Sequence, residues 1–242
     1  MNQDKIRASI DSIETFGLVD GPGIRVVVFF NGCKLRCKYC HNPEMWTKKE
    51  ENYSPQELVD KIKRYKPYFK DKGGVTFSGG EPLLHSKFII ETAKLLKQEN
   101  INIALDTSGV GLGDYHEVLP YIDLVLLDIK HTNQAKYKEI TGLEIDEAEK
   151  FIEELNKQNK PVWIRQVIVP GIMDNQNYID SLINYLKRIK NIERVDFLPF
   201  HRLGREKYIA MNIAYPYEEK NEMDKETCNK LYKYFEENYK KN

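Results

Sequence analysis

Six short runs of apolar, largely β-branched residues recur along the chain, with helically spaced segments between them. They occupy residues 24–30, 75–77, 101–105, 124–129, 162–169 and 195–198. A run that stays apolar instead of alternating marks a strand covered on both faces. After the first run, Leu58, Ile62, Tyr65 and Phe69 recur at i, i+4, i+7 and i+11. Their start signal has Ser54 as cap, Pro55 in the first turn and Glu57 closing a capping box. Ala148, Phe151, Ile152 and Leu155 repeat the stripe before Pro161 ends it, and Ile179, Leu182, Ile183 and Leu186 repeat it again. Buried strands alternating with helices predict an α/β fold with a parallel sheet and right-handed crossovers. The pattern is the same whether such a sheet closes into a barrel or stays open. In both cases ligands gather at the carboxyl ends of the strands. A further strand is expected at residues 6–13 and a C-terminal helix with a solvated face at Lys225–Tyr239.

Composition narrows the function classes. Lys plus Arg equals Asp plus Glu at 37 each, so no overall basic charge points to nucleic acid. No basic segment followed by an apolar core opens the chain, and no apolar run approaches the ~18 residues of a membrane span. A cytoplasmic protein that does not engage membranes is expected. Three of the four cysteines fall within eight positions, which is no disulfide framework.

Those three, Cys33, Cys37 and Cys40, lie on the polar loop NGCKLRCKYCHN directly after the first strand. Iron–sulfur cubanes are held by cysteine thiolates, normally four. Three ligands leave one iron open to bind and act on a small molecule. The remaining Cys228 falls on an apolar helical face with Leu231, Tyr232 and Phe235 and reads as a buried thiol. Two alternatives stand beside an open cluster. One is zinc with His41 as fourth ligand, although the paired C-x2-C spacing of zinc ribbons is missing; the other is a cluster that only carries electrons.

Polar residues at the other strand ends deepen the pattern. The second strand ends in Ser78-Gly79-Gly80-Glu81-Pro82, the third in Asp106-Thr107-Ser108-Gly109 and the fourth in Asp128-Ile129-Lys130. Buried strands that finish in a carboxylate need a cation or donor nearby. Arg165 interrupts the fifth apolar run, and Leu198-Pro199-Phe200-His201 places a histidine at the end of the sixth. Singly these read as tight turns, helix caps, an ion pair or a surface histidine. At neighbouring strand ends of one sheet they point to a site.

The cysteine triplet, with Tyr39 before its last member, resembles the signature of the radical S-adenosylmethionine (radical SAM) superfamily. Gly79-Gly80-Glu81 is similar to that family's Gly-Gly-Glu motif. The resemblance implies a partial (β/α)6 barrel of the radical SAM type: an N-terminal strand and loop 1–23, a core 24–200, and a C-terminal loop and helix 201–242. It implies a catalytic [4Fe–4S] cluster on Cys33, Cys37 and Cys40. S-adenosylmethionine would be bound by Tyr39, Cys40, His41, Gly79, Gly80, Glu81, Asp128, Ile129, Lys130 and His201. A monovalent cation, sodium or potassium, would sit at Asp106, Thr107 and Asp128. One family motif is absent: Gln166-Val167-Ile168-Val169-Pro170-Gly171 replaces the adenine-binding Gly-x-Ile-x-Gly-x-x-Glu, so adenine contacts there would be backbone and apolar.

Val19-Asp20-Gly21-Pro22-Gly23-Ile24-Arg25, together with Cys-x-Tyr-Cys-His-Asn, is similar to the activases of glycyl-radical enzymes within that superfamily. Several of those activases carry a cysteine-rich insert after the first cluster. No cysteine lies between Cys40 and Gly79, which fits the insert-free activases of pyruvate formate-lyase. The resemblance implies that pyruvate formate-lyase is the protein substrate, its glycine peptide lined by Asp20, His41, Asn42, Arg165 and His201. It implies flavodoxin or ferredoxin as electron donor and a monomer working anaerobically. The alternatives are another glycyl-radical enzyme as substrate, or a small molecule.

Overall fold

The computed structural model describes residues 6–239. In chain order the elements are β1 (Ile10–Gly17), β2 (Arg25–Phe30), α1 (Pro55–Lys63), α2 (Lys66–Phe69), β3 (Gly74–Gly79), α3 (Ser86–Gln98), β4 (Asn102–Thr107) and α4 (Tyr115–Val118). Then follow β5 (Leu124–Asp128), α5 (Gln134–Thr141), α6 (Asp146–Gln158), β6 (Val162–Ile168), α7 (Gln176–Leu186), β7 (Ile192–Pro199), α8 (Arg205–Ala210) and α9 (Lys225–Tyr239). They build one sheet in the order β1-β2-β3-β4-β5-β6-β7, with β1 antiparallel to β2 and all later neighbours parallel. The sheet is open, β1 and β7 forming its edges. Six parallel strands in sequence order, joined by five helical crossovers, make the expected partial barrel.

The apolar runs of β2 and β3 are buried on both faces, as their composition predicts. β6 departs from that reading. Val162, Ile164, Gln166 and Ile168 are buried, whereas Trp163, Arg165 and Val167 are half-buried. One face packs on the core, and Arg165 and Val167 of the other line a cavity. A period of two is what a strand between a core and a cavity shows.

The N-terminal strand lies at Ile10–Gly17, four residues beyond the expected 6–13. Its ladder partner decides this: Ile10 faces Phe30 and Gly17 faces Arg25. At the start of β1 the Asn52 side chain substitutes for a strand, accepting from the Ile10 N–H at 2.9 Å and donating to its carbonyl at 2.7 Å. The capping box forms, Ser54 N–H donating to Glu57 Oε2 at 2.7 Å and Glu57 N–H to Ser54 Oγ at 3.3 Å. The single stripe over residues 58–69 becomes two helices, with Pro67 in the first turn of α2. Cys228 is buried on α9 with Leu231 and Phe235, and Phe235 packs on Phe197 of β7 at 5.2 Å. No helix among the described residues is long and apolar enough to cross a membrane.

Candidate active site

Backbone hydrogen bonds hold the cysteine loop. The Gly32 N–H donates to the Met45 carbonyl at 2.7 Å, that of Cys33 to Trp46 at 3.1 Å and that of Cys40 to Cys37 at 2.9 Å. Arg36 and Lys38 N–H groups reach the Thr141 and Ile140 carbonyls at the end of α5. His85 Nε2 lies 2.7 Å from the Asn31 carbonyl just before the loop. Burial pushes the Cys33 and Cys37 thiols up to about 12. It also raises Cys40, where the Asn42 N–H and the Trp46 side chain pull the other way. A coordinated cation would favour the thiolate form of these buried thiols.

The end of β3 crosses directly over this loop. The Glu81 N–H donates to the Gly32 carbonyl and the Gly80 N–H to the Phe30 carbonyl, each at 2.8 Å. Only glycine fits there. Gly79 has φ +111°, and a Cβ on Gly80 would lie 2.3 Å from the Gly32 oxygen. The Glu81 side chain does something else than the sequence suggests. It is 1% exposed and does not border the cavity. Its Oε1 accepts from Thr107 Oγ1 at 2.5 Å and its Oε2 from the Ser108 N–H and hydroxyl at 3.0 and 2.6 Å. The carboxylate therefore clamps the β3 end to the β4 end.

Charged groups meet across the sheet. Arg165 Nη1 donates to Asp106 Oδ2 at 3.1 Å, and its Nη2 donates to the Val19 carbonyl at 2.6 Å and Asp20 Oδ1 at 3.4 Å. Ser78 Oγ donates to Asp106 Oδ2 at 2.7 Å, and Lys130 Nζ to Asp128 Oδ2 at 3.0 Å. Burial works against the charge on Arg165, and Asp106, Asp128 and Asp20 more than restore it. Three carboxylates face two cations here, and Asp106 Oδ1 is buried without a hydrogen-bond partner. Burial holds the Asp106 carboxyl above its usual range. This site wants one more cationic or donor group.

His41 and His201 close the other side, their rings stacked 3.9 Å apart at 20°. Burial, then His201, lowers His41 to about 4, so it is neutral at pH 7. The Asn42 side chain accepts from Lys207 Nζ of α8 at 2.7 Å. Tyr39 lies beneath Lys130, Nζ 5.9 Å from the ring centre, with its buried hydroxyl lacking a partner.

These groups share one cavity of about 490 Å³ at the carboxyl ends of the parallel strands. It is lined by Cys33, Cys37 and Cys40, by Tyr39, His41 and Asn42, by Gly79 and Gly80, and by Asp106, Thr107 and Asp128. Asp20, Lys130, Arg165 and His201 complete the residues singled out in the sequence. Ile129 is buried behind the wall and borders a smaller cavity with Tyr137 and Tyr185. Trp46 lines the main cavity with no signal in the sequence, and Ser78, Ser108 and Val167 line it from the strand ends and β6. Among the described residues no three His, Cys, Asp or Glu side chains are arranged to hold a single metal ion. Three thiols bordering one cavity suit a cubane, whose irons occupy separate corners.

Residues 27–186 match the Radical SAM superfamily. The chain belongs to that superfamily. Its cofactors are a [4Fe–4S] cluster and S-adenosylmethionine, which the three thiols, the orphaned Asp106 oxygen and the glycine crossing fit. Among curated relatives, the pyruvate formate-lyase-activating enzyme of Clostridium pasteurianum is 48% identical over 96% of this chain and 98% of its own length. That of Staphylococcus epidermidis is 38% identical over 95% of both. The radical SAM fold is shared with solved structures. A domain of pyruvate-formate lyase-activating enzyme from Bacteroides vulgatus gives TM-score 0.53 at 23% identity, covering 67% of this chain and 94% of that one. Streptococcus suis SuiB bound to precursor peptide SuiA gives 0.61 at 17%, covering 78% and 41%.

Proposed function

We propose that this radical SAM enzyme activates pyruvate formate-lyase by abstracting an α-hydrogen from one of its glycines. The observation that supports this most is the single cavity in which three thiols, a glycine backbone crossing and an under-neutralised carboxylate cluster meet at the strand ends. Cys33, Cys37 and Cys40 hold the cluster and leave its fourth iron open. When bound, cluster and S-adenosylmethionine supply one electron and a 5′-deoxyadenosyl radical, the species that takes the hydrogen. Gly79 and Gly80 bring backbone close to the amino group of S-adenosylmethionine, and Tyr39, Lys130 and His201 wall its pocket. Asp106 and Asp128 hold a monovalent cation, with Thr107 kept in place by Glu81. Asp20, His41, Asn42, Arg165 and His201 line the path of the glycine peptide. Arg165 fixes the Val19–Asp20 backbone at that entrance, and neutral His41 keeps a further positive charge away from the cationic cofactor. The chain works in the cytoplasm as a monomeric single domain, 1–242, reduced by flavodoxin or ferredoxin; residues 1–5 and 240–242 lie outside the described residues.

The test is to mix anaerobically reconstituted protein with S-adenosylmethionine, a reductant and pyruvate formate-lyase. A glycyl-radical signal by electron paramagnetic resonance is expected, with one 5′-deoxyadenosine per radical. Release of 5′-deoxyadenosine without that signal would sink the partner and leave the chemistry standing. Gly80→Ala is expected to cut 5′-deoxyadenosine release about 10²-fold, the cost of roughly a 1 Å misplacement at a reacting centre. Chromatography of the nucleoside from the reconstituted variant measures it, and release at the wild-type rate would refute the role given to the backbone crossing.

A further inference from the structure

Thr76 places a hydroxyl in the middle of β3, between Val27 of β2 and Ala104 of β4, where it is fully buried. Side chains alternate along a strand, so Thr76 shares a face with Ser78, which lines the cavity, and lies one layer beneath it. A hydroxyl at this depth is costly unless it is bonded, and valine would fill the same space. Thr76 Oγ1 is bonded twice. It accepts from Arg25 Nε at 3.0 Å and donates to the Asp20 carbonyl at 2.6 Å. Chemistry fixes the direction: a guanidinium only donates, so Thr76 must accept there and give its one proton to Asp20. Arg25 is itself fully buried and held by further bonds, from Nη1 to Asn102 Oδ1 at 2.8 Å and from Nη2 to the Val75 carbonyl.

This chain of bonds ends on the segment between β1 and β2. Leu18 and Val19 are 72% and 78% exposed, so packing does not fix that segment. Two side chains from strands three places apart in the sheet grip it instead. Arg165 on β6 takes the Val19 carbonyl, and Thr76 on β3 takes the next one, that of Asp20.

We propose that Thr76 is a positioning residue for the glycine peptide: its hydroxyl, aimed by Arg25, fixes the Asp20 backbone so that the Asp20 carboxylate stands at the peptide entrance. The inference rests on the peptide path proposed above.

The discriminating variant is Thr76→Val, which keeps the shape and removes the hydroxyl. In reconstituted holoenzyme, the KM for pyruvate formate-lyase in glycyl-radical formation is expected to rise about tenfold, the size of one lost buried hydrogen bond. The kcat should stay within about twofold, because Thr76 touches no reacting group. Thr76→Ser keeps the hydroxyl and should return KM to the wild-type value. Thr76→Ala, which cannot clash, carries the same expectation as valine and replaces it if that variant does not fold. A merely structural role would show equally in Asn102→Ala, which removes an acceptor from Arg25 and leaves the Thr76–Asp20 bond in place. That variant should lower Tm with KM unchanged. A wild-type KM in the folded valine or alanine variant overturns the proposal, and so does an equal rise in Asn102→Ala. Wild-type protein that forms no glycyl radical would instead refute the peptide path itself, so the two failures are distinguishable.

Discussion

Alanine at any one of Cys33, Cys37 and Cys40 is expected to bring bound iron to background and to cut 5′-deoxyadenosine release by well over 10²-fold. Losing an outer partner of a metal ligand already costs about 10- to 100-fold, and a ligand itself costs more. Two thiols cannot replace three, because no further cysteine borders the cavity. The fold should survive, since the loop is fixed by its backbone to Met45, Trp46 and the end of α5. Each variant should lose about 1 kcal/mol, an ordinary single-site cost. Cys228→Ala is the control, because that thiol is buried on α9 among Leu231 and Phe235. Iron and sulfide assays on reconstituted protein, with chromatography of the nucleoside product, measure the effect. Iron retained at wild-type level in any of the three would remove that residue from the cluster.

What could be read before the fold was known follows from the range of the interactions involved. The six parallel strands announce themselves locally, because burial on both faces leaves an unbroken apolar run. Whether the sheet closes is set by strand tilt and stagger, which leave no trace in the pattern. β1 was misplaced because its alternation is weak and its bounds depend on pairing with β2. The cysteines and glycines are recognisable because their chemistry, a soft ligand and a missing Cβ, is specific to the residue type. Glu81 is not, since its direction depends on Thr107 and Ser108, 26 and 27 residues away. The Asp20–Arg165 contact spans 145 residues, and only the sheet brings its ends together.

That contact leads to the second large effect. Arg165→Met is expected to destabilise the protein by about 3–5 kcal/mol, the cost of removing one partner from a buried ion pair. For a chain of this size that lowers Tm by roughly 6–20 °C. Arg165 and Asp106 have side chains only 14% and 13% exposed, so water cannot take the place of the guanidinium. Asp106 would keep one hydrogen bond, from Ser78, with its other oxygen already without a partner. Adding Asp106→Asn should recover at least half of the lost stability, because the uncompensated charge goes while the amide keeps its shape. Half-buried Asp20 retains solvent contact and should add little to the loss. Activation of pyruvate formate-lyase should not recover in the double variant, since the guanidinium no longer holds the Val19–Asp20 backbone at the peptide entrance and the amide at 106 is a weaker cation ligand. Thermal unfolding of the single and double variants, alongside radical yield, separates the two roles. Recovery of both stability and activity would reduce Arg165 to the neutraliser of Asp106.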